Sequence, residues 1–526
     1  MEAINSPENI AGILEGTGPS AAINLVILVF FLFFTVLGVL FGLGRGLPKS
    51  ALRLGTIVLS AIIAFIVASS ISPAIAEFFE GKTLEEALAT VAPEESFGDG
   101  TPIAAFLSCC DAVTAGLILE LISALFIVPS AFVTVFIVLN AVSMILFWIL
   151  SAVLKLGERK KSRALGALVG AVQGALIAAI VLLPLASVAS TAVIVRDSID
   201  GIETTEEVKT TIDGVYDEYL NGVIENPVLG AINSYGGNAI NHSLSTIEVA
   251  GTTVDAREEL GEIIKILFTT AEFAKTDFEC PDENTFDALH TLADMIGDDP
   301  FTSEVLSGIL RAFSTALHDG KIVINIENPY HDMLISITDI FLDSTGATIG
   351  RNLNTIVDVY YILYDSGTID AINNPPEGYS IEDVLVAPYN GTEDSVIDTV
   401  IAKIKDNPDT KPLITALTKF SVTIVAESLE ISDDADTVYD SMKSDLYVIL
   451  ESRHLCSTKE ELSNILIEDL SDVLRSHDII LDNRILREMS DIAAEEFLGK
   501  EEITDDDIND LILSYYDAYE KYAELG

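Results

Sequence analysis

Two uncharged apolar runs, only ten residues apart, constrain this chain more than any other feature. Leu25–Leu43 has Thr35 as its one polar interruption, and Leu54–Ala76 carries no charge either. Each is close to the roughly 20 residues that a helix needs to cross a bilayer. Between them, Gly44–Arg53 carries Arg45, Lys49 and Arg53 and no acid. Positive loops mark the cytoplasmic side, so the pair reads as a helical hairpin with its turn inside. Gly44 and Gly46 loosen the first helix, and Pro48 suits the first turn of the second. Lys49 and Arg53, at i and i+4, share one helix face and are expected to snorkel to lipid phosphates.

Charge divides the rest. The chain has 526 residues, with 29 Lys plus Arg against 81 Asp plus Glu, a net charge of −52. Residues 1–195 hold 9 bases and 13 acids, which leaves 20 and 68 for residues 196–526. An apolar membrane half is therefore followed by a strongly acidic soluble half. Such acidity excludes a nucleic-acid partner, which needs a basic surface. A solvated acidic surface is the plain reading, and a dedicated cation site the sharper one. Cys109 and Cys110 are adjacent at a membrane edge. Cys280 and Cys456 lie far apart, as a disulfide in an oxidising compartment or as two buried thiols.

The remaining spans follow from the same charge logic. Met1–Ala21 holds Glu2, Glu8 and Glu15 and no base, unlike a secretory signal, so an uncleaved first helix with an external N-terminus is expected. Glu77–Asp111 holds eight acids and one base, Lys82, and reads as external. Ala112–Leu154 is a 43-residue apolar stretch containing Pro129. The loop after it carries Lys155, Arg159, Lys160, Lys161 and Arg163 against Glu158, which puts it inside. Ser130–Leu154 is then the third span, and Ala112–Val128, with Glu120, an interfacial or re-entrant helix. Leu165–Ala186 is the fourth, with Leu182 facing lipid. The spans are thus about 25–43, 54–76, 130–154 and 165–186, in a multi-pass plasma (inner) membrane protein with both termini and the acidic region extracytoplasmic. Gly38, Gly42 and Gly46 repeat every four residues, as do Gly166, Gly170 and Gly174. That spacing puts small residues on one face and predicts helix-packing seams.

The run Leu43-Gly44-Arg45-Gly46-Leu47-Pro48-Lys49-Ser50-Ala51-Leu52-Arg53-Leu54 resembles the basic hairpin of the colicin V production protein (CvpA) family. Leu165-Gly166-Ala167-Leu168-Val169-Gly170-Ala171-Val172-Gln173-Gly174 is similar to the segment that opens that family's last helix, with Gln173 where the family often has Arg. The resemblance covers roughly residues 24–195. It implies a four-helix inner-membrane protein associated with colicin V production (toxin biosynthesis) or export and with the cell envelope. It supplies no catalytic residues.

From Arg196 on, the apolar period is that of amphipathic helices. Thr204-Thr205-Glu206-Glu207 has the form of a capping box ahead of a stripe through Val208, Ile212, Val215, Tyr219 and Val223. Thr246–Ala256 reads as a hairpin and Lys321–Ile326 as one more strand. Helices are expected at Arg257–Phe273, Asn284–Ile296, Thr302–His318, Tyr330–Leu342, Gly346–Tyr364, Ser395–Lys405, Pro412–Leu429, Ala435–Ser452, Lys459–Ser476, Arg484–Leu498 and Asp505–Leu525. The expected fold is mostly α: a four-helix transmembrane bundle, residues 1–195, then a predominantly helical acidic region with a small β-hairpin. That region divides into 196–365, a loop-rich linker 366–394, and 395–526.

Chemistry-bearing motifs are sparse. Three of six histidines precede aspartate (His318-Asp319, His331-Asp332, His477-Asp478), but adjacent helical residues point apart. Metalloprotease, nucleophile-elbow and P-loop motifs are absent. Asp433-Asp434-Ala435-Asp436 and Asp505-Asp506-Asp507 lack an EF-hand's glycine and closing glutamate and suit helix starts. Ser234-Tyr235-Gly236-Gly237-Asn238 reads as a turn. No catalytic, cofactor or metal site is expected. The reading is a non-enzymatic envelope protein whose partners are the bilayer and, for the acidic region, a protein or cell-wall polymer. The alternatives are a small channel or transporter component and a cation- or wall-binding sensor or scaffold.

Overall fold

A single glycine turns the first helix into the second. The structure, a computed structural model, describes residues 19–71, 112–154, 162–200, 220–273, 283–322, 335–373, 380–428 and 435–524, with Gly214 and Tyr216. Helix α1 (Pro19–Arg45) ends where Gly46 takes φ 73°, and α2 (Leu47–Ser69) starts at once with Pro48 in its first turn. Left-handed backbone of this kind costs glycine nothing. The ten-residue loop expected over Gly44–Arg53 is therefore one residue, and Lys49 and Arg53 lie inside α2. The glutamates of Met1–Ala21 and the acidic loop Glu77–Asp111 fall outside the described residues.

Next comes a continuous helical path: α3 (Ala112–Ile122), a π-turn (Ser123–Ile127) and α4 (Val128–Val153). Pro129 does not divide it as expected. The Val128 N–H bonds back to the Ser123 carbonyl, and the wider turn precedes the residue that lacks a donor. Leu121 and Ala124 pack with Ile247, Val249, Ala256 and Phe301, so this end of the path, which carries Glu120, is covered by later segments of the same unit. Helix α5 (Arg163–Val181) bends at Leu182 into α6 (Leu183–Asp200). Leu182 is buried against Ile27, Ala186 and Val223 rather than facing lipid.

Among the described residues, four helices are long and apolar enough to cross a membrane: Pro19–Arg45, Leu47–Ser69, Val113–Val153 and Arg163–Val181. α1 runs antiparallel to α5, and α2 antiparallel to α4. Thr35, the polar interruption of the first run, returns its hydroxyl to the Phe31 carbonyl at 2.8 Å.

The boundary expected at residue 195 is displaced. The chain forms two units: Met1–Leu88, Asp111–Cys280 and Asp299–Val305 in one, Ala89–Cys110, Pro281–Asp298 and Leu306–Gly526 in the other. The reason is α6, which runs through residue 195 and packs on α10 (Ala256–Phe273). Between them lie α7 (Asn221–Ile224), α8 (Pro227–Ile232), a π-turn (Asn233–Gly237) and α9 (Asn238–Leu244). The antiparallel pair β1 (Thr246–Val249) and β2 (Thr252–Asp255) follows, in register Thr246 with Asp255.

The second unit is helical: α11 (Glu283–Asp298), α12 (Pro300–His318, whose first residues belong to unit one), α13 (Ile349–Asp365), α14 (Thr368–Asn373), α15 (Ile381–Leu385), α16 (Val396–Lys405), α17 (Pro412–Ser428), α18 (Ala435–Leu450), α19 (Lys459–Ser476), α20 (Asn483–Phe497) and α21 (Asp505–Glu524). Val422, Tyr439, Leu446, Leu466, Phe497 and Ile508 share one core. Ser395 with Asp398 forms a full capping box, and Thr504 and Asp507 cap one another at the start of α21. The segment 366–394 is not a free linker. Ser380 caps α15, Leu385 is fully buried, and the Tyr519 hydroxyl donates to Asp383 at 3.0 Å. Of the expected strand Lys321–Ile326, Lys321 and Ile322 form a bend and the rest lies outside the described residues, as do Asp433, Asp434, His331 and the Thr204 capping box.

Candidate functional site

The two glycine triples face each other. A Cβ built on Gly38 or on Gly42 would lie 2.1 Å from the carbonyl oxygen of Gly170 or Gly166 respectively. Gly174 meets the Phe34 carbonyl at the same 2.1 Å, and Gly166 meets the Gly46 Cα at 2.7 Å. No side chain fits, so α1 and α5 touch backbone to backbone. Carbonyls and Cα–H groups brought this close supply van der Waals packing, which holds helices together where lipid offers no hydrophobic drive.

Beside this seam the bundle buries a cation. Arg53, only 6% exposed, points between α2 and α4. Its guanidinium donates to Asn140 Oδ1 at 2.6 Å, the Asn140 carbonyl at 3.3 Å, Ser143 Oγ at 2.7 Å and Thr56 Oγ1 at 3.2 Å. All four acceptors are neutral, so they satisfy donors without cancelling charge. This corrects the expectation that Arg53 snorkels to lipid. An arginine six residues inside its helix finds a polar pair on α4 within reach. Arg45 instead places its guanidinium 5.3 Å from the ring centroids of both Phe41 and Phe147. Gln173 is buried and donates to the Ser50 carbonyl, while the buried Ser50 hydroxyl has no partner. Arg163 is exposed at the start of α5, Lys49 is half-buried, and Lys155, Arg159, Lys160 and Lys161 lie outside the described residues.

A second polar centre sits where β2 enters α10. Asp255 and Arg257 are both buried and form a bidentate pair, Arg257 Nη2 to Asp255 Oδ2 at 2.6 Å and Nε to Oδ1 at 3.1 Å. Ser245 donates to Oδ1 at 2.9 Å, and His242 Nδ1 meets Oδ2 at 2.6 Å. Arg257 also reaches Ser190 Oγ at 3.1 Å and Asn238 Oδ1 at 3.0 Å, which ties α6 and α9 to the hairpin. Burial works to raise the Asp255 carboxyl, but the bonds from Arg257 and His242 outweigh it and hold the group below its ordinary range. The dyad of exposed imidazole and buried carboxylate has the form of an oriented base. Its other partners are structural, and among the described residues no reacting group converges on it.

One turn on, Glu259 is buried against Asp299, the residue that accepts from the Thr302 N–H at 2.6 Å to start α12. Burial first, then the charge of Asp299 and a hydrogen bond with it, then Glu258 and Glu262, push the Glu259 carboxyl up to about 8.

In the second unit the histidines serve as surface partners. His290 Nδ1 meets Asn354 at 2.8 Å, His318 pairs with Asp339 rather than Asp319, and His477 faces Asp445 at 3.4 Å. Cys456 is a free, half-buried thiol, and Cys280 lies outside the described residues. Among the described residues, no three His, Cys, Asp or Glu side chains converge as a metal set. Sequence reasoning placed Arg53 at the lipid surface and passed over Asp255, Arg257 and Glu259. The one available signal was Asp-Ala-Arg at the close of the predicted hairpin.

Comparison with known proteins gives no match: no family model, no curated protein and no solved structure matches this chain.

Proposed function

We propose that this chain is a non-enzymatic membrane protein of the cell envelope that works as an assembly, export or envelope-maintenance factor, with its acidic unit as an external docking domain. The observation that carries the reading is the reciprocal glycine seam. A bundle locked through its backbone suits a fixed anchor better than a moving transporter. The resemblance of residues 24–195 to colicin V production proteins supports the same class. In this reading the bilayer is the inner membrane, the Arg45–Lys49 turn is cytoplasmic, and the acidic unit and both termini are outside. The acidic unit meets a protein or wall partner. Deletion is expected to alter envelope integrity or secretion. Full-length protein should restore the phenotype, and residues 1–280 alone should not. Restoration by the membrane part alone would sink the docking role.

A second reading, a small channel or transporter component, is favoured by the uncompensated Arg53 charge among Thr56, Asn140 and Ser143, since polar groups inside a bundle mark pathways. Purified protein in liposomes is expected to pass no ions. A selective conductance abolished by Arg53→Gln would replace the first reading with this one.

A further inference from the structure

The acidic half contains one long uncharged stretch. Between Glu225 and Glu248 there is no Asp, Glu, Lys or Arg. The structure folds its core into α8, the π-turn and α9, laid across one end of the apolar bundle. Val228 and Leu229 pack on Ile27, Leu182, Ala186 and Ala189. Leu244 packs with Ala64, Ala68, Val128, Phe132 and Leu183, and Ile232 touches both groups.

Depth along the helices says where that end lies. Ile27, Ala68, Phe132 and Leu183 stand 18, 21, 21 and 20 residues from Arg45, Leu47, Val153 and Arg163, where the four apolar helices meet the basic side. At about 1.5 Å per residue this is about 27–32 Å on every helix, against a hydrocarbon core of about 30 Å. Four independent helices thus set one plane, the second edge of the hydrocarbon layer, and the uncharged stretch lies across it. At its apex Tyr235 is 92% exposed, held out by a kink at Gly236 with φ 116°. Around it the exposed surface is mostly small or apolar, Gly230, Ala231, Ser234, Gly236, Ala239 and Ile240, with Asn238 as its one amide. The chain's one tryptophan, Trp148, is likewise exposed five residues from the basic end of α4. Tyrosine and tryptophan gather at the two membrane–water boundaries because an apolar ring with a polar tip fits there.

We propose that Pro227–Leu244 is an interfacial cap seated in the lipid headgroup layer, with Tyr235 as its anchor to the bilayer and Trp148 marking the opposite boundary. The occupant is lipid, because the exposed surface around Tyr235 carries no Asp, Glu, Lys, Arg or His and lies at the edge of the hydrocarbon layer. A turn exposed to water has no use for a bare aromatic ring in a region otherwise so acidic. This goes beyond the docking role, which concerns the other unit.

The test uses the full chain in phosphatidylcholine vesicles. Wild-type emission reports Trp148 alone, and Trp148→Phe/Tyr235→Trp moves the single indole to the cap. Phosphatidylcholine brominated near the top of its acyl chains is expected to remove roughly half of the emission from either position, with aqueous iodide acting weakly. Trp148→Phe/Ile240→Trp repeats the reading one turn away and decides the matter where the Tyr235 variant misfolds. Emission at 235 and 240 quenched by iodide but not by bromolipid overturns the proposal in favour of a water-facing loop. Emission shielded from both overturns it in favour of a protein partner.

Discussion

Gly38 and Gly170 exclude side chains from one another: a Cβ added to either would stand 2.1 Å from the other's carbonyl oxygen. The obstacle is backbone on both sides, so neither helix can yield by turning a rotamer.

Gly170→Ala is therefore expected to destabilise the bundle by about 1–3 kcal/mol or more, the range for overpacking a filled interface. Gly44→Ala is the control, since a Cβ there meets nothing within 4 Å. Thermal unfolding in detergent should show a large drop for the first variant and none for the second. Equal tolerance would remove the seam as a packing element. Leu168→Ile, on an exposed position of α5, should behave like the control.

Arg53→Ala should cost about 2–4 kcal/mol, because it leaves a void and strips Asn140 and Ser143 of their shared donor. Arg53→Lys keeps the charge but loses the planar fork whose two nitrogens reach Ser143 and Asn140 separately, so a loss of about 1–2 kcal/mol is expected. Detergent melting curves that place lysine level with arginine would show that charge, not the forked geometry, matters here.

Asp255→Ala leaves the buried Arg257 without its counter-ion. Removing one partner of such a pair costs about 3–5 kcal/mol. Ser190 and Asn238 also depend on Arg257, so proteolysis near the β1–β2 hairpin should rise with the loss of stability. Unchanged melting and cleavage would mean that the pair is dispensable.

The Glu259 carboxyl titrates near 8 in the folded protein against an ordinary value of 4.5. The folded state thus keeps a proton that the unfolded state has lost. Its stabilisation is fully present below about 4.5, declines as pH rises through that window, and is gone above about 8. Melting temperatures measured from pH 6 to pH 9 should fall more steeply for wild type than for Glu259→Gln, which keeps a donor toward Asp299 at every pH. Parallel profiles would remove Glu259 as the titrating group.

Residues 283–526 are expected to fold alone and to melt at a higher temperature in moderate than in low salt, as screening relieves self-repulsion. Surface pairs such as Lys405–Asp510 and Lys411–Asp506 lose strength in the same salt, but exposed pairs contribute little. A melting temperature that falls with salt would contradict the repulsion argument. Both this fragment and one starting at residue 200 uncover Phe301, but the longer one is the poorer choice, since it also uncovers Ile247 and Val249.

Helices whose starts are written in local chemistry were legible. Ser395 and Thr458 sit where side-chain caps are needed, and Thr246–Ala256 pairs through its own turn. The small-residue faces were legible as well, because a period of four is visible in one helix alone. The buried polar centres were not. Arg53 is satisfied by residues 87 and 90 positions away, and nothing near it distinguishes a snorkelling arginine from an inward one. Glu259 owes its shifted carboxyl to Asp299, at the start of another helix. The π-turn was hidden behind Pro129, whose usual meaning is a break. The boundary at 195 followed composition, whereas α6 carries the fold across the change in composition.

A ladder with the same four-residue period on both helices leaves its own sliding position undetermined. Moving α1 along α5 by one turn would again set glycine opposite glycine, like two combs shifted by one tooth. Closeness comes from the ladder, but alignment must come from contacts that do not repeat. Two such contacts tie the start of α2 to α5 and its first cap: the Leu47 N–H to the Ser162 carbonyl at 3.3 Å, and Gln173 to the Ser50 carbonyl. The one-residue turn at Gly46 holds Leu47 and Ser50 in place for both. The basic end of the bundle is thus its vernier stop, and it sets the depth at which every other residue of α1 meets α5.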